Sequence, residues 1–195
     1  MAELRPLTRE PLPLTMEARR GSVLVREGDV CTCSWVVERG AFRESSIGRE
    51  GRELVIALLG PGDLATGPEG ELSATTVRAI RPARLRTASK WELPLLLAAR
   101  RRRAVELATT LAWEEIPERL DRRLRELAGR FGRQVPGGMS LSLPLTQEEL
   151  GALVGATREA TNRALRVLSR NGRVQRLGHG RYLLPPGLRL VEPLR

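Results

Sequence analysis

The stretch LTQEELGALVGATREATNRALRVLSRNGRV, residues 145–174, decides the fold of the C-terminal third of the chain. Thr146 and Glu149 have the T-x-x-E spacing of a capping box, which marks the start of a helix. Gly155 supplies the sharp break that separates two short helices, and Thr157 can cap the second helix. The pattern therefore predicts two helices joined by a tight turn, which is a helix-turn-helix arrangement.

Each of these helices is predicted to bury one side. The apolar spacing predicts that Leu150, Leu153 and Val154 are buried in the first helix, and Ala160, Ala164, Val167 and Leu168 in the second. The second helix then turns a charged face outward, formed by Arg158, Glu159, Asn162, Arg163 and Arg166.

That charged face is typical of a helix that reads DNA bases in the major groove. Arginine matches O6 and N7 of guanine, and a carboxylate accepts from N4 of cytosine. The alternative is a solvated face with an ion pair between Glu159 and Arg163. We favour base reading, because the caps, the turn and the spacing all agree with it.

The residues that follow the second helix predict a β-hairpin, or wing. Val174–Leu177 and Arg181–Leu184 flank the turn Gly178-His179-Gly180. His179 is the only histidine, and a phosphate contact or simple exposure fits it better than catalysis. The full set of predicted DNA contacts is Thr146, Thr157, Arg158, Glu159, Asn162, Arg163, Arg166, His179 and Arg181.

The composition also indicates a polyanionic partner. The 195 residues carry a net charge of +10, and Lys90 is the only lysine among 33 basic residues. Arginine-rich basic proteins usually bind nucleic acid. A solubilising surface or a heat-adapted composition is the alternative explanation of the charge. No run approaches the ~18 apolar residues of a membrane span, and the first residues lack the apolar core of a signal peptide. We therefore expect a cytoplasmic protein without a membrane partner.

The first half of the chain predicts short strands and hence a β-roll or barrel. These strands are GSVLVREGD, a strand pair in CSWVVERGAFRES that turns at Arg39-Gly40, the apolar run Leu54–Leu59, and SATTVRAIRPARLRTAS. Ser89 and Glu92 then form a second capping box, which predicts a long helix to about Ile116. Pro117 can open the next helix. Residues 132–140, GRQVPGGMS, are interpreted as a linker or hinge region.

The long helix is predicted to pair with a second copy of itself. Its apolar seam suits a partner helix, although packing on its own β domain is the alternative. The run Arg100–Arg103 is interpreted as its solvated face rather than a nucleic-acid patch. The predicted dimerisation residues are Leu97, Ala104, Leu107, Ala108 and Leu111.

The sequence gives no indication of catalytic or metal chemistry. Cys31 and Cys33 are the only cysteines, and a disulfide across one residue of a strand would be strained, so we interpret them as core thiols. No nucleophile–base set surrounds His179, and no glycine loop of the phosphate-binding type is present. We therefore expect no enzyme activity and no cofactor.

Taken in order, these segments resemble the cyclic-AMP receptor protein (CRP)/FNR family of bacterial transcription regulators. The resemblance implies an α+β protein with an N-terminal β-roll of the cyclic-nucleotide-binding jelly-roll type (residues 1–91). A dimerisation helix (92–116) and a winged helix-turn-helix (117–195) follow. It also implies a homodimer on palindromic TGTGA-type half-sites, read by Arg158, Glu159 and Arg163. RNA polymerase would contact surface loops at Ile47–Glu53 and Arg133–Met139. We expect activation of transcription, and repression is the alternative.

The sensor part departs from the family pattern. Leu72 stands where cyclic-AMP-binding members have a phosphate-binding arginine, although Ser73 remains. Ala104 and Val105 stand at about the positions where the family has hydroxyl residues that contact the adenine. The iron–sulfur branch needs more cysteines than two, and the haem branch needs a histidine in the sensor. We therefore expect a regulator that is active without cyclic AMP; the alternative is a sensor that binds an unidentified small molecule.

Overall fold

The structure is a computed structural model that describes residues 12–142, 145–178 and 180–186. The chain divides into two compact units. The first joins the described residues up to Phe42 with Leu59–Arg101, and the second joins Arg43–Leu58 with the described residues from Arg102 onward.

A five-stranded sheet dominates the N-terminal half. Its strands are β1 (Thr15–Ala18), β2 (Val23–Val25), β3 (Trp35–Ile47), β4 (Glu53–Leu59) and β5 (Thr76–Thr87). The sheet order is β1-β5-β3-β4, with β2 also paired to β5. Alternate residues of β5, such as Val77, Ala79, Ala83 and Leu85, are buried, as expected for strands with one face in a core. The strand predicted for this segment is therefore confirmed.

The predicted strand pair at Arg39-Gly40 is wrong, because β3 runs through these residues without a turn. Gly40 has a φ of +91°. A Cβ at this position would lie 2.4 Å from the carbonyl oxygen of Pro82 and 2.5 Å from Cβ of Ala83. The glycine thus allows β5 to approach β3 closely, which is the other common reason for glycine inside a strand.

Two helices follow the sheet, as predicted. Ser89 and Glu92 form the expected reciprocal box: the Ser89 amide donates to Glu92 Oε1 at 2.9 Å, and the Glu92 amide donates to Ser89 Oγ at 3.2 Å. Helix α1 (Leu93–Trp113) ends three residues before the predicted point, and α2 (Ile116–Phe131) has Pro117 in its first turn. Among the described residues, no helix is long and apolar enough to cross a membrane.

The predicted linker at residues 132–140 is also wrong, because these residues form a hairpin of β6 (Arg133–Val135) and β7 (Gly138–Ser142). Gly137 takes a φ of +88° at the turn. Strand β7 pairs with β9 (Arg181–Leu184), and β8 (Gln175–Gly178) completes a sheet of order β6-β7-β9-β8. Gly137 and Gly138 belong to this hairpin rather than to a linker, and the expected surface loop at Arg133–Met139 is mostly strand.

Candidate nucleic-acid interface

Helix α3 (Gln147–Ala152) begins at the predicted capping box. The Thr146 hydroxyl accepts from the Glu149 amide at 3.1 Å, and the Thr146 amide donates to Glu149 Oε2 at 2.8 Å. The three predicted core residues Leu150, Leu153 and Val154 are buried. The first helix of the pair is thus fixed by its cap at one end and by its apolar side.

Gly155 forms the turn between the two helices. Its φ is +62°, which favours glycine. A Cβ at Gly155 would lie 2.9 Å from Cδ2 of Leu111 and 3.7 Å from Cδ1 of Leu54. The turn that positions the second helix is therefore in close contact with α1 and β4 side chains of the same unit.

Helix α4 (Arg158–Arg170) is capped by Thr157, whose hydroxyl accepts from the Ala160 amide at 3.2 Å. Its buried side consists of Thr161, Ala164, Leu165 and Leu168, while Ala160 is only half-buried. The prediction that Val167 is buried is wrong, because its side chain is 40% exposed. Thr161 is a polar residue on this buried side, and its hydroxyl is satisfied because it donates to the Thr157 carbonyl at 2.9 Å.

The charged face of α4 is exposed and has no internal partner. Arg158, Glu159, Arg163 and Arg166 are exposed, and Asn162 is half-buried. Within the described part of the chain none of these five side chains makes a hydrogen bond or ion pair, so the alternative of a Glu159–Arg163 pair does not form. These groups are available to an external ligand. Thr146 and Thr157, in contrast, use their hydroxyls as helix caps.

The wing lies in the second sheet. Arg181 is exposed, and its Nη2 donates to the Leu177 carbonyl at 3.3 Å. Tyr182 is buried, and this burial raises the pKa of its hydroxyl, although Arg176 opposes the shift. Tyr182 is therefore a neutral core residue of the wing. His179 lies outside the described residues.

A buried carboxylate connects α2 to the end of α4, and sequence reasoning missed it. Asp121 is 3% exposed and accepts from Arg125 Nε at 3.1 Å and from Arg173 Nη2 at 2.5 Å. Arg125 also donates to the carbonyls of Pro185 and Arg173 at 3.0 and 3.3 Å. The only available signal was Asp121 beside Leu120 and Leu124 on the apolar face of a helix.

Arginines also hold the segment Arg43–Leu58 within the second unit. Arg43 Nη1 donates to Glu149 Oε1 at 2.9 Å, and its Nη2 lies 3.3 Å from Glu53 Oε1. Two arginines of α2 donate to carbonyls of β4: Arg123 to Ile56 at 2.9 Å and Arg130 to Leu58 at 2.8 Å. The predicted polymerase loop Ile47–Glu53 thus lies in the middle of a segment that these arginines fix within the second unit.

Family models match both parts of this chain. The Crp-like helix-turn-helix domain matches residues 118–190, and the cyclic nucleotide-binding domain matches residues 15–98. The "CRP-like cAMP-activated global transcriptional regulator" of Mycobacterium tuberculosis is 30% identical over 171 residues, which cover 78% of this chain and 76% of that protein. The chain belongs to the CRP/FNR family.

Further comparisons agree with this CRP/FNR assignment. The "Cyclic AMP receptor protein" of Thermus thermophilus is 32% identical, over 83% of this chain and 79% of that protein. The structure of FixK2 from Bradyrhizobium japonicum has a TM-score of 0.75 at 23% identity, over 89% of this chain and 93% of that chain. The predicted family and the α+β fold, with an N-terminal β-sheet domain followed by a helix-turn-helix, are confirmed. The protein is a DNA-binding transcription regulator of this family.

The sensor segment of this CRP/FNR protein is closed by main-chain pairing. Residues 70–73 pair with residues 28–31: Gly28 donates to Ser73, Ser73 to Asp29, Cys31 to Glu71 and Gly70 to Cys31, each at 2.8 Å. Ser73 is buried, and its hydroxyl donates to the Thr75 carbonyl at 2.7 Å. Leu72 is 69% exposed. The serine that remains from the family pattern is thus engaged within its own segment.

The predicted dimerisation residues fall into two groups. Ala104 and Ala108 are exposed, whereas Leu97, Leu107 and Leu111 are half-buried. Leu107 and Leu111 line a cavity together with Leu153 and Val154 of the same unit. Helix α1 has 21 residues and buries none of them. Among the described residues, no cluster of three or more His, Cys, Asp or Glu side chains could hold a metal ion.

Proposed function

We propose that α4 reads base edges directly in palindromic TGTGA-type half-sites. The observation that carries this proposal is the exposed face of Arg158, Glu159, Asn162 and Arg163, which has no partner among the described residues. Arginines elsewhere in the second unit, such as Arg43 and Arg125, are engaged with carboxylates. Arg166 of α4, Arg181 of the wing and the predicted contact His179 would add phosphate contacts, which set position rather than sequence.

We also propose that α1 pairs with α1 of a second copy. A helix of 21 residues without a buried side chain is unusual unless a partner covers it. Ala98, Val105, Ala108 and Ala112 are exposed at spacings of seven, three and four residues, which is the seam of a coiled coil. Of the predicted residues, Ala104 and Ala108 belong to this surface, while Leu107 and Leu111 pack within their own unit. Small side chains would let the two helices approach closely.

The regulator is proposed to bind its operator without cyclic AMP. The pairing of residues 70–73 with 28–31 and the internal bond of Ser73 leave no arginine or free hydroxyl for a phosphate in this segment. An anionic phosphate against Leu72 would be desolvated without compensation. Because a ligand acts only through differential affinity for two states, an absent site gives no switch. The relatives named as cyclic-AMP-activated would then differ from this chain in their control.

A second candidate is a regulator gated by an unidentified small molecule. The observation that favours it is a cavity of about 380 Å³ in the first unit. This volume is within the range of small-molecule sites. Its lining includes Asp29, Cys31, Cys33, Trp35 and Thr66.

The remaining parts of the proposal follow from the operator-binding role. Residues 1–91, 92–116 and 117–195 would be the sensor-like domain, the dimerisation helix and the winged helix-turn-helix. Activation would result from RNA polymerase contacts at Ile47–Glu53 and around Arg133–Met139, and repression would result from an overlapping operator. The protein would act in the cytoplasm on chromosomal DNA, without catalysis of its own.

Selection of bound sequences from random DNA, with and without cyclic AMP, tests these proposals together. We expect the same palindrome with TGTGA-type half-sites in both arms, and no heat when cyclic AMP is titrated into the protein. Recovery of a palindrome only in the cyclic-AMP arm would contradict effector independence while retaining base reading. Recovery of unrelated sequences in both arms would contradict base reading by α4.

A further inference from the structure

Helix α3 is held by two arginines from outside the helix-turn-helix, one at each end. At its start, Arg43 of β3 donates from Nη1 to Glu149 Oε1 at 2.9 Å, and Nη2 of the same arginine lies 3.3 Å from Glu53 Oε1. At its end, Nη1 of Arg119, in α2, donates to the Val154 carbonyl at 2.9 Å. The Arg43 side chain is 14% exposed, and Arg119 is half-buried. Both contacts are therefore directional and partly shielded from water, unlike a loose surface pair.

These two contacts matter because α3 is too short to fix its own position. It has six residues and so only a few internal hydrogen bonds. Its apolar side holds it against the core, but apolar contact is non-directional and leaves a helix free to slide or rotate by a small amount. A hydrogen bond at each end removes this freedom, because both its length and its angle must be satisfied.

The position of α3 determines the position of the second helix. Gly151 of α3 lies against the turn and α4: a Cβ here would be 2.6 Å from the carbonyl oxygen of Ala156 and 3.1 Å from Oγ1 of Thr161. No side chain separates the helices at this point, so a shift of α3 moves the start of α4 with it. The start of α4 carries Arg158 and Glu159, whose exposed side chains are the proposed base-reading groups.

We propose that Arg43 and Arg119 are positioning residues for base reading by α4. Both act through α3 rather than through contact with DNA: they fix α3 at its two ends, and α3 fixes the angle at which α4 enters the major groove. This role rests on the proposed base reading, because a phosphate contact tolerates a displaced helix, whereas a bidentate base contact needs both of its bonds aligned. Loss of either arginine should therefore reduce discrimination between operators more than it reduces affinity for DNA in general.

The affinities of Arg43→Met and Arg119→Met for the selected operator, for its single-base variants and for random duplex test this role. We expect the ratio of operator affinity to random-duplex affinity to fall about fivefold or more in each variant, which is the lower end of what one bidentate base contact supplies. Affinity for random duplex and its salt dependence should change little, since no phosphate contact is removed. Arg43→Lys keeps a positive charge opposite Glu149 and should restore part of the discrimination.

Arg130→Met is the matched control. Arg130 is also an arginine of α2 whose Nη1 donates to a carbonyl, that of Leu58 in β4, at 2.8 Å. Its removal should lower stability to a similar extent and leave discrimination unchanged, because this bond does not end on the helix-turn-helix. Equal discrimination in the native protein and in both test variants, or an equal loss in Arg130→Met, would overturn the positioning role alone. A native protein without base preference would contradict base reading, and the positioning role would fall with it.

Hydrogen exchange in the DNA-free protein provides a measurement that does not depend on base reading. We expect the amides of α3 to exchange faster in Arg43→Met and Arg119→Met than in the native protein or in Arg130→Met, because a helix without its outside bonds opens more often. If either methionine variant does not fold, Arg43→Lys and Arg119→Lys serve in both measurements. Exchange of α3 that matches the Arg130→Met control would overturn the proposal.

Discussion

Arg43 and Glu149 form an ion pair of 2.9 Å between Nη1 and Oε1 in the second unit. The other oxygen of the same carboxylate, Oε2, accepts from the Thr146 amide at 2.8 Å. Glu149 therefore both caps α3 and holds the strand that carries Arg43. A residue predicted only as a helix cap thus connects the helix-turn-helix to a residue 106 positions earlier in the chain.

Substitution of Gly155 by alanine should disturb the turn between α3 and α4. The left-handed φ of +62° and the close contact with Leu111 both oppose a Cβ. We expect a loss of about 2–3 kcal/mol in the free energy of unfolding, measured by urea denaturation. Gly172→Ala is the matched control, since its φ is +67° and nothing lies within 4 Å of its Cβ position. Its loss should be about 1 kcal/mol; equal losses would show that the Leu111 contact is unimportant.

Substitution of Asp121 by asparagine should destabilise the connection of α2 to the end of α4. The variant leaves two partly exposed arginines without their carboxylate, so the cost should be about 2 kcal/mol, below that of a fully buried pair. Glu50→Gln is the control, because the Glu50–Arg52 pair is exposed on both sides and should contribute less than about 0.5 kcal/mol. Urea midpoints measure both variants. A midpoint for Asp121→Asn equal to that of the control would contradict this role.

The pair of Arg86 and Glu92 should make stability depend on acid pH. The hydrogen bond from Arg86 lowers the pKa of the Glu92 carboxyl below its ordinary value of 4.5, and burial opposes the shift. A lowered pKa in the folded state means that the contribution is complete above about pH 5 and is lost as the pH falls through the folded value. The difference in unfolding free energy between the native protein and Glu92→Gln should therefore shrink on acidification from pH 6 to pH 3. A constant difference across this range would refute the assignment.

Removal of either recognition arginine should relax sequence preference. We expect Arg163→Ala and Arg158→Ala to cost about 1–3 kcal/mol and to lose discrimination at one guanine in each half-site. Arg181→Ala, in the wing, should weaken binding to all sequences alike. Affinities for a set of operators with single base changes distinguish the two patterns. If the α4 variants lost the same affinity for every operator, base reading would be contradicted, and this face would only contact phosphates.

A charge on the exposed stripe of α1 should prevent dimerisation. Ala108 is exposed within the chain, so Ala108→Glu should leave each subunit folded while it buries a carboxylate in the paired helices. Light scattering should report the mass of one chain for this variant. Ser169→Glu adds the same charge to an exposed small residue of α4 and should remain dimeric. A dimeric Ala108→Glu protein would place the interface elsewhere.

Local signals predicted the helix-turn-helix well, because its geometry depends on residues close in sequence. Thr146 with Glu149, Gly155, and Thr157 each act within four residues, and each has the predicted role. Glycine outside this context was ambiguous: Gly40 permits a close strand approach, and Gly137 makes a hairpin turn. Such a glycine is interpretable only when the strand opposite is known.

Contacts distant in sequence could not be predicted. Asp121 and Arg173 are 52 residues apart, and nothing in either neighbourhood indicates the pairing. The exposed face of α4 was predictable from helical periodicity, but the absence of internal partners for its charges, among the described residues, required the structure. The partners of Arg43 and Arg119 were equally hidden, since 33 basic residues offer no reason to select two of them.

The pairing of residues 70–73 with residues 28–31 also bears on how often this segment of the β domain is open. Opening this segment breaks four main-chain hydrogen bonds. At ~1 kcal/mol each, these bonds hold the open form to about one molecule in a thousand. Opening of this segment is therefore a rare state at equilibrium. The cellular concentration of the protein, set by its synthesis and degradation, would then determine how far its target operators are occupied.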